Sequence, residues 1–281
     1  MNKTVRYILY AIITAICIIS VFIGVYALVF KDMAKTNITT NNTSNDNQTS
    51  EPTQDEVKDS FKDLFTNELF ASNFDDSKIQ KIYQDKPIVY DAITADENKA
   101  NYYELNIHIP LININSELAT SYNTFTQNNF VQYANNIKNS NQMGNYTIYN
   151  VNFTSYINND ILSLVIMATL KIGNNPQRIL VKTYNYDLTT NEEVSITKIL
   201  DNRGIDSTVV NKKINSVIQE AKDQEEAMSE SGYEIYKRDL QSDEYDVTNV
   251  KTFFQGPNGE LYIVYAYGNT KDTSEMDVII I

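Results

Sequence analysis

The sequence predicts an α+β fold: an antiparallel meander sheet covered by two or three helices and preceded by one N-terminal transmembrane helix. Three observations carry this prediction. Residues 146–188 hold three strand-like runs separated by the turn groups Asn158-Asn159-Asp160 and Gly173-Asn174-Asn175-Pro176. Residues 116–137 and 205–221 instead space their apolar side chains at helical intervals. Residues 7–30 are apolar except for Thr14, Ser20 and Gly24, and about 20 such residues span a bilayer core.

The meander is the centre of the prediction. In residues 146–157, Thr147, Tyr149, Val151, Phe153 and Ser155 fall on one face and Tyr146, Ile148, Asn150, Asn152 and Thr154 on the other, the period of a half-buried strand. Short amide and acid side chains at 158–160 tolerate left-handed backbone angles and bond their own backbone, so the chain turns there. Residues 161–172 form a nearly continuous apolar strand, and 178–188 a third strand.

Taken in order, Lys3 and Arg6 precede the apolar span, which places residues 1–6 in the cytoplasm as a stub, although Lys31 and Lys35 follow it. A cleaved secretory signal is the alternative. Val25 and Ala27 fit a cleavage site, but the span exceeds the 7 to 15 apolar residues of such a signal, roughly stated. Residues 31–54, rich in Asn, Thr and Ser, have nothing to bury and read as a disordered tether. An extracellular module is expected over 55–281. Thr53 and Glu56 have capping-box spacing, with Val57, Phe61, Leu64, Phe65 and Leu69 following at helical intervals.

Residues 87–94 and 102–112 are the next candidate strands, with Leu105, Ile107, Ile109 and Leu111 on one face of the second. A helical stripe then runs through Leu118, Tyr122, Phe125, Val131, Ala134 and Ile137. After the meander a clearer one joins Ile205, Val209, Val210, Ile214, Val217, Ile218 and Ala221, with Asp206 as N-cap. Residues 229–248 read as polar and irregular. A hairpin over 251–267 turns at Gly256-Pro257-Asn258-Gly259, and 277–281 close the fold as a last strand.

Composition restricts function. The chain carries a net charge of -13, and the first 35 residues hold four basic and one acidic side chain, so the remainder carries -16. Nucleic acid is repelled by such a surface and a cationic partner suits it. Cys17 is the one cysteine and lies in the apolar span, so no intrachain disulfide is expected. His108 is the one histidine, which leaves no His-rich metal site, and it is read as a solvent-facing strand residue. No catalytic residue, cofactor or metal ligand is assigned.

The runs Ser155-Tyr156-Ile157-Asn158-Asn159-Asp160-Ile161-Leu162-Ser163-Leu164-Val165, Tyr184-Asn185-Tyr186-Asp187-Leu188 and Glu193-Val194-Ser195-Ile196-Thr197-Lys198-Ile199-Leu200 resemble the extracellular module of RsiV-type anti-sigma factors and PdaC-type peptidoglycan deacetylases, a DUF3298-type domain. The likeness extends to 102–126, with Ile109-Pro110 leading into a helix, and to 253–281. It is a likeness of scaffold. The cytoplasmic clamp of such anti-sigma factors does not fit within six residues, and no deacetylase domain is read here. The resemblance therefore implies a membrane-anchored binding or sensor module of a Gram-positive type cell envelope, non-enzymatic, with lysozyme or another basic wall-directed protein as ligand. Tyr233, Tyr236 and Tyr245, in the polar segment, are the expected exposed partner contacts. Two alternatives stay open: a peptidoglycan-active enzyme using carboxylates, and a signalling subunit acting through a membrane partner.

Overall fold

The computed structural model describes residues 52–71, 74–140, 145–232, 235–267 and 275–281. The expected stub, span and most of the tether lie outside these, as do the signal-cleavage alternative and Tyr233. Among the described residues no helix is long and apolar enough to cross a membrane.

The chain from Pro52 onward forms one compact unit. It opens with helix α1 (Gln54–Lys62), whose N-cap Thr53 accepts from the Glu56 N–H while Glu56 reaches back to the Thr53 N–H, the expected capping box. Val57 and Phe61 are its buried face. A seven-stranded sheet follows, built from β1 (Leu69–Phe70), β2 (Val89–Lys99), β3 (Tyr103–Ile112), β4 (Thr147–Asn158), β5 (Ile161–Ile172), β6 (Arg178–Asp187) and β7 (Glu192–Glu193). Its order is β2-β3-β4-β5-β6-β7, with β1 also on β4.

The β4-β5-β6 meander is antiparallel throughout, as the short turns between its strands predict. Asn159 and Asp160 both take positive φ (48° and 61°) in the two-residue turn between β4 and β5. Where the sheet departs from a pure meander, it does so along one edge of β4. Here β3 runs parallel beside residues 147–151 and β1, also parallel, takes over beside Ser155 and Tyr156. A parallel neighbour needs a crossover, and α2 (Glu117–Thr126), a π-turn over Gln127–Val131 and α3 (Gln132–Asn139) supply it.

That π-turn corrects the expected helical stripe. The extra residue in the turn rotates the register, so Phe130 is buried while Phe125 stands 44% exposed, with the Lys182 ammonium over its ring. Tyr122 and Ala134 remain inside as expected. With the odd-numbered residues of β4 and the even-numbered residues of β5 and β6, they close the first core.

The opposite face of the sheet is covered by a second, three-stranded antiparallel sheet, β10-β9-β8, formed by β8 (Phe253–Gln255), β9 (Leu261–Tyr267) and β10 (Glu275–Ile280). Phe254, Tyr262, Val264, Met276 and Val278 pack there against Tyr156, Val165, Val181 and α1. On the edge away from β9, strand β8 is docked on the large sheet by side chains rather than by a ladder. The Phe253 N–H donates to Thr183 Oγ1 (3.2 Å), the Gln255 N–H to Ser163 Oγ (3.1 Å), and Asn185 Nδ2 donates to the Phe253 carbonyl (2.8 Å). Polar residues at 163, 183 and 185 thus stand in for a missing strand partner.

The outer face of the small sheet carries α4 (Ile196–Arg203) and α5 (Ser207–Glu230). Ser195 and Asp206 cap them, and Gly204 ends α4 in the left-handed region, φ 64°. The segment Asp201–Asp206 is therefore two helix caps. Val210, Ile214, Val217, Ile218 and Ala221 are buried as expected, whereas Val209 is 63% exposed because it sits on the first turn's outer side. The molecule is layered: helices, large sheet, small sheet with α1, helices.

Candidate functional site

The segment read as polar and irregular is firmly held from Ile235 onward. Its Arg238 is buried and bidentate on Asp277, Nε to Oδ2 at 2.7 Å and Nη2 to Oδ1 at 2.9 Å, and its own N–H donates to buried Glu225 Oε2 at 3.0 Å. Glu275 and Lys58 add weaker contacts at 3.7 Å, to Arg238 and Asp277 respectively. Burial works against the guanidinium charge, but the hydrogen bonds and charge of Asp277 outweigh it, and Arg238 holds its proton more firmly than usual.

Around this pair lies a tyrosine cluster. Tyr236 stacks on Tyr267 with ring centroids 4.3 Å apart, Arg238 lies over the same Tyr267 ring at 5.2 Å, and the hydroxyls of Tyr245 and Tyr267 are 3.0 Å apart. Tyr245 also meets Tyr265 edge-on at 5.1 Å. Burial, and the Asp277 anion beside Tyr267, raise the phenol pKa of Tyr267, and burial raises those of Tyr245 and Tyr265.

The expectation of exposed tyrosines is corrected here. Tyr245 is only 3% exposed and Tyr236 is half-buried against the helix-covered core, because the aromatic face of β9 gives them a surface to pack on. They support the segment from beneath. What the segment presents to solvent is acid: Asp239, Asp243, Glu244 and Asp246 are all exposed, with no basic residue between 239 and 249. Asp246 is shaped by the local turn, accepting from the Thr248 hydroxyl (2.6 Å) and N–H (2.8 Å), and these bonds hold its pKa below the ordinary carboxylate value. At the end of α5, Glu226 and Glu230 are likewise exposed. The acidic segment borders a cavity of about 510 Å³ whose other walls are Lys251, Thr252 and β9.

Sequence reasoning missed Arg238, Glu225 and Asp277. The signal was present in the lone Asp277 inside the apolar run Met276-Asp277-Val278-Ile279, since a carboxylate in a closing strand requires a buried cation.

His108 is half-buried on β3, Nδ1 2.5 Å from Asp91 Oδ2 on β2, so the residue read as solvent-facing has a partner. The other oxygen, Asp91 Oδ1, is buried without a hydrogen bond. Such a pair can hold or pass a proton, but it lines none of the cavities described for this fold. Among the described residues no group of three or more His, Cys, Asp or Glu side chains is placed to hold a metal ion. A larger cleft, about 820 Å³, lies elsewhere, among Phe74, Lys78, Ser116, Asp160 and Asn191.

No protein-family model matches the chain, and no curated protein matches it. Among solved structures, the chain is similar to a member of the DUF3298 family from Bacteroides fragilis NCTC 9343, with 11% identity and a TM-score of 0.31, over 63% of this chain and 81% of that one. It is also similar to a DUF3298 family protein from Pseudomonas aeruginosa PAO1, with 9% identity and a TM-score of 0.37, over 70% of this chain and 92% of that one.

Proposed function

We propose that this protein is a membrane-anchored extracellular binding module whose acidic segment 239–246 takes a basic, wall-directed protein of the lysozyme kind. The observation that carries the proposal is the combination found in that segment. Four exposed carboxylates stand on a loop whose base is fixed by the buried Arg238–Asp277 pair and the Tyr236–Tyr267–Tyr245 cluster. A fixed loop loses little freedom on binding, which is where a mobile one would lose affinity. The carboxylates raise the encounter rate with a cation, and half-buried Tyr236 supplies apolar surface beside them. The sequence resemblance to RsiV-type and PdaC-type modules supports the same assignment of partner, and the apolar run 7–30 behind Lys3 and Arg6 supports the anchor.

Calorimetric titration of the purified full-length chain with lysozyme, at low and at moderate salt, tests the partner. Binding at both, weaker at moderate salt because ions screen the attraction over about 8 Å at physiological ionic strength, is the expected result. Absence of binding at either salt overturns the reading. External protease on intact cells tests the anchor: a membrane-embedded stub is expected, and a mature protein that begins after Ala27 and is free in the medium contradicts it.

A further inference from the structure

We infer that the cavity beside β9 is a seat for a short extended peptide segment in which lysine or arginine flanks an uncharged residue. This inference rests on the proposed basic partner and names the part of the surface that receives it.

The argument begins with strand alternation. The Gly256 N–H bonds the Glu260 carbonyl at 2.8 Å and the Val264 N–H bonds the Thr252 carbonyl at 3.0 Å, so the even-numbered residues of β9 turn their backbone groups toward β8. Leu261 and Ile281 exchange N–H to C=O bonds at 3.1 and 2.9 Å, so the odd-numbered ones turn toward β10. The next even residue is Ala266. The ladder with β8 stops at the Phe253–Ile263 pair and the chain leaves the sheet at Thr252, so the Ala266 N–H and C=O face past the end of β8. The cavity of about 510 Å³ occupies that place, and Ala266 is part of its wall.

An extended segment entering the cavity antiparallel to β9 can exchange two backbone hydrogen bonds with Ala266, continuing the small sheet where β8 gives out. Its side chains alternate. The residue opposite Ala266 turns toward the large sheet, while those before and after it turn to the side of Tyr265 and Tyr267, where the segment of Asp243 and Glu244 packs. Those two flanking positions are the ones that favour a cation. Lys251 also lines the cavity, which leaves two carboxylates against one ammonium.

A second, independent observation lies in the floor. Tyr265 is nine-tenths buried, and its hydroxyl is out of water's reach with no hydrogen-bond partner. Glu244 is among the charges acting on it. A lone buried hydroxyl is a cost to the empty fold. An ammonium or guanidinium donor seated in the cavity between Glu244 and Tyr265 gives that hydroxyl the partner it lacks.

The probe is a blocked pentapeptide with lysines on either side of a central valine, titrated into the full-length protein. Binding is expected, and it should weaken about tenfold or more when the central amide is N-methylated or glutamates replace the lysines. Glu244→Gln and Tyr265→Phe should each weaken it by about tenfold without lowering the melting temperature, since Glu244 is exposed and the Tyr265 hydroxyl has no bond to lose. No binding of the lysine peptide, or equal binding of the N-methylated one, overturns the site. If lysozyme still binds and ignores both substitutions, the site is wrong while the proposed function stands. If the peptide binds with the stated pattern and lysozyme does not, the site stands and the proposed partner falls.

Discussion

Arg238 and Asp277 show how one buried pair shapes the working surface. Each alone would be a charge in a core, and together they satisfy one another while Glu225 holds the Arg238 backbone. Asp277→Ala should therefore cost about 3–5 kcal/mol, because it leaves the guanidinium buried without its counter-charge. Arg238→Met combined with Asp277→Leu should cost less than that single change, since no charge is then stranded. Urea denaturation of the three proteins decides the matter, and a double variant as unstable as Asp277→Ala contradicts the account. At this scale the sequence was only partly legible. Asp206, Thr53 and the Asn159-Asp160 turn could be placed from local rules because their partners lie within a few residues. Arg238 could not, because its partner is 39 positions away and only the folded sheet brings them together.

Among elements, β8 depends on side chains of the large sheet for what a strand ordinarily receives from a neighbour's backbone. Asn185 accepts from Ser163 Oγ (2.7 Å) and donates to the Phe253 carbonyl (2.8 Å), all buried. Asn185→Ala should destabilise by about 1–3 kcal/mol, the cost of leaving such groups unpaired. It should also raise amide hydrogen exchange in 253–255 before the β4–β5 ladder is affected. Uniform loss of protection would contradict this division. The alternation in β4, β5 and β6 made these strands legible. The small sheet's separate existence was not, because 251–267 and 277–281 read equally well as further strands of one meander. The π-turn was hidden too, since Phe125 and Phe130 are both apolar and only the extra residue decides which one is buried.

The whole molecule is rich in buried phenols. Tyr122, Tyr149, Tyr245, Tyr265 and Tyr267 have raised pKa values, with burial the leading cause, and Tyr184 is pushed up to about 12. An unfolded tyrosine titrates near about 10. Because the folded pKa lies above the unfolded one, the native state keeps protons that the unfolded chain gives up. This contribution is complete below about pH 10 and is lost as pH rises from there toward about 12. The urea midpoint should hold steady to about pH 9.5 and then fall steeply, with the buried phenols ionising only on unfolding. A midpoint unchanged at pH 11 would contradict it.

The claim that the 239–246 face is where a basic partner sits is tested most directly by hydrogen–deuterium exchange of the full-length protein with and without saturating lysozyme. The account predicts slower exchange in 239–252 and at Ala266, with the far cleft around Phe74, Asp160 and Asn191 unchanged. Protection confined to that far cleft, or to the β2–β3 edge around His108, would contradict it.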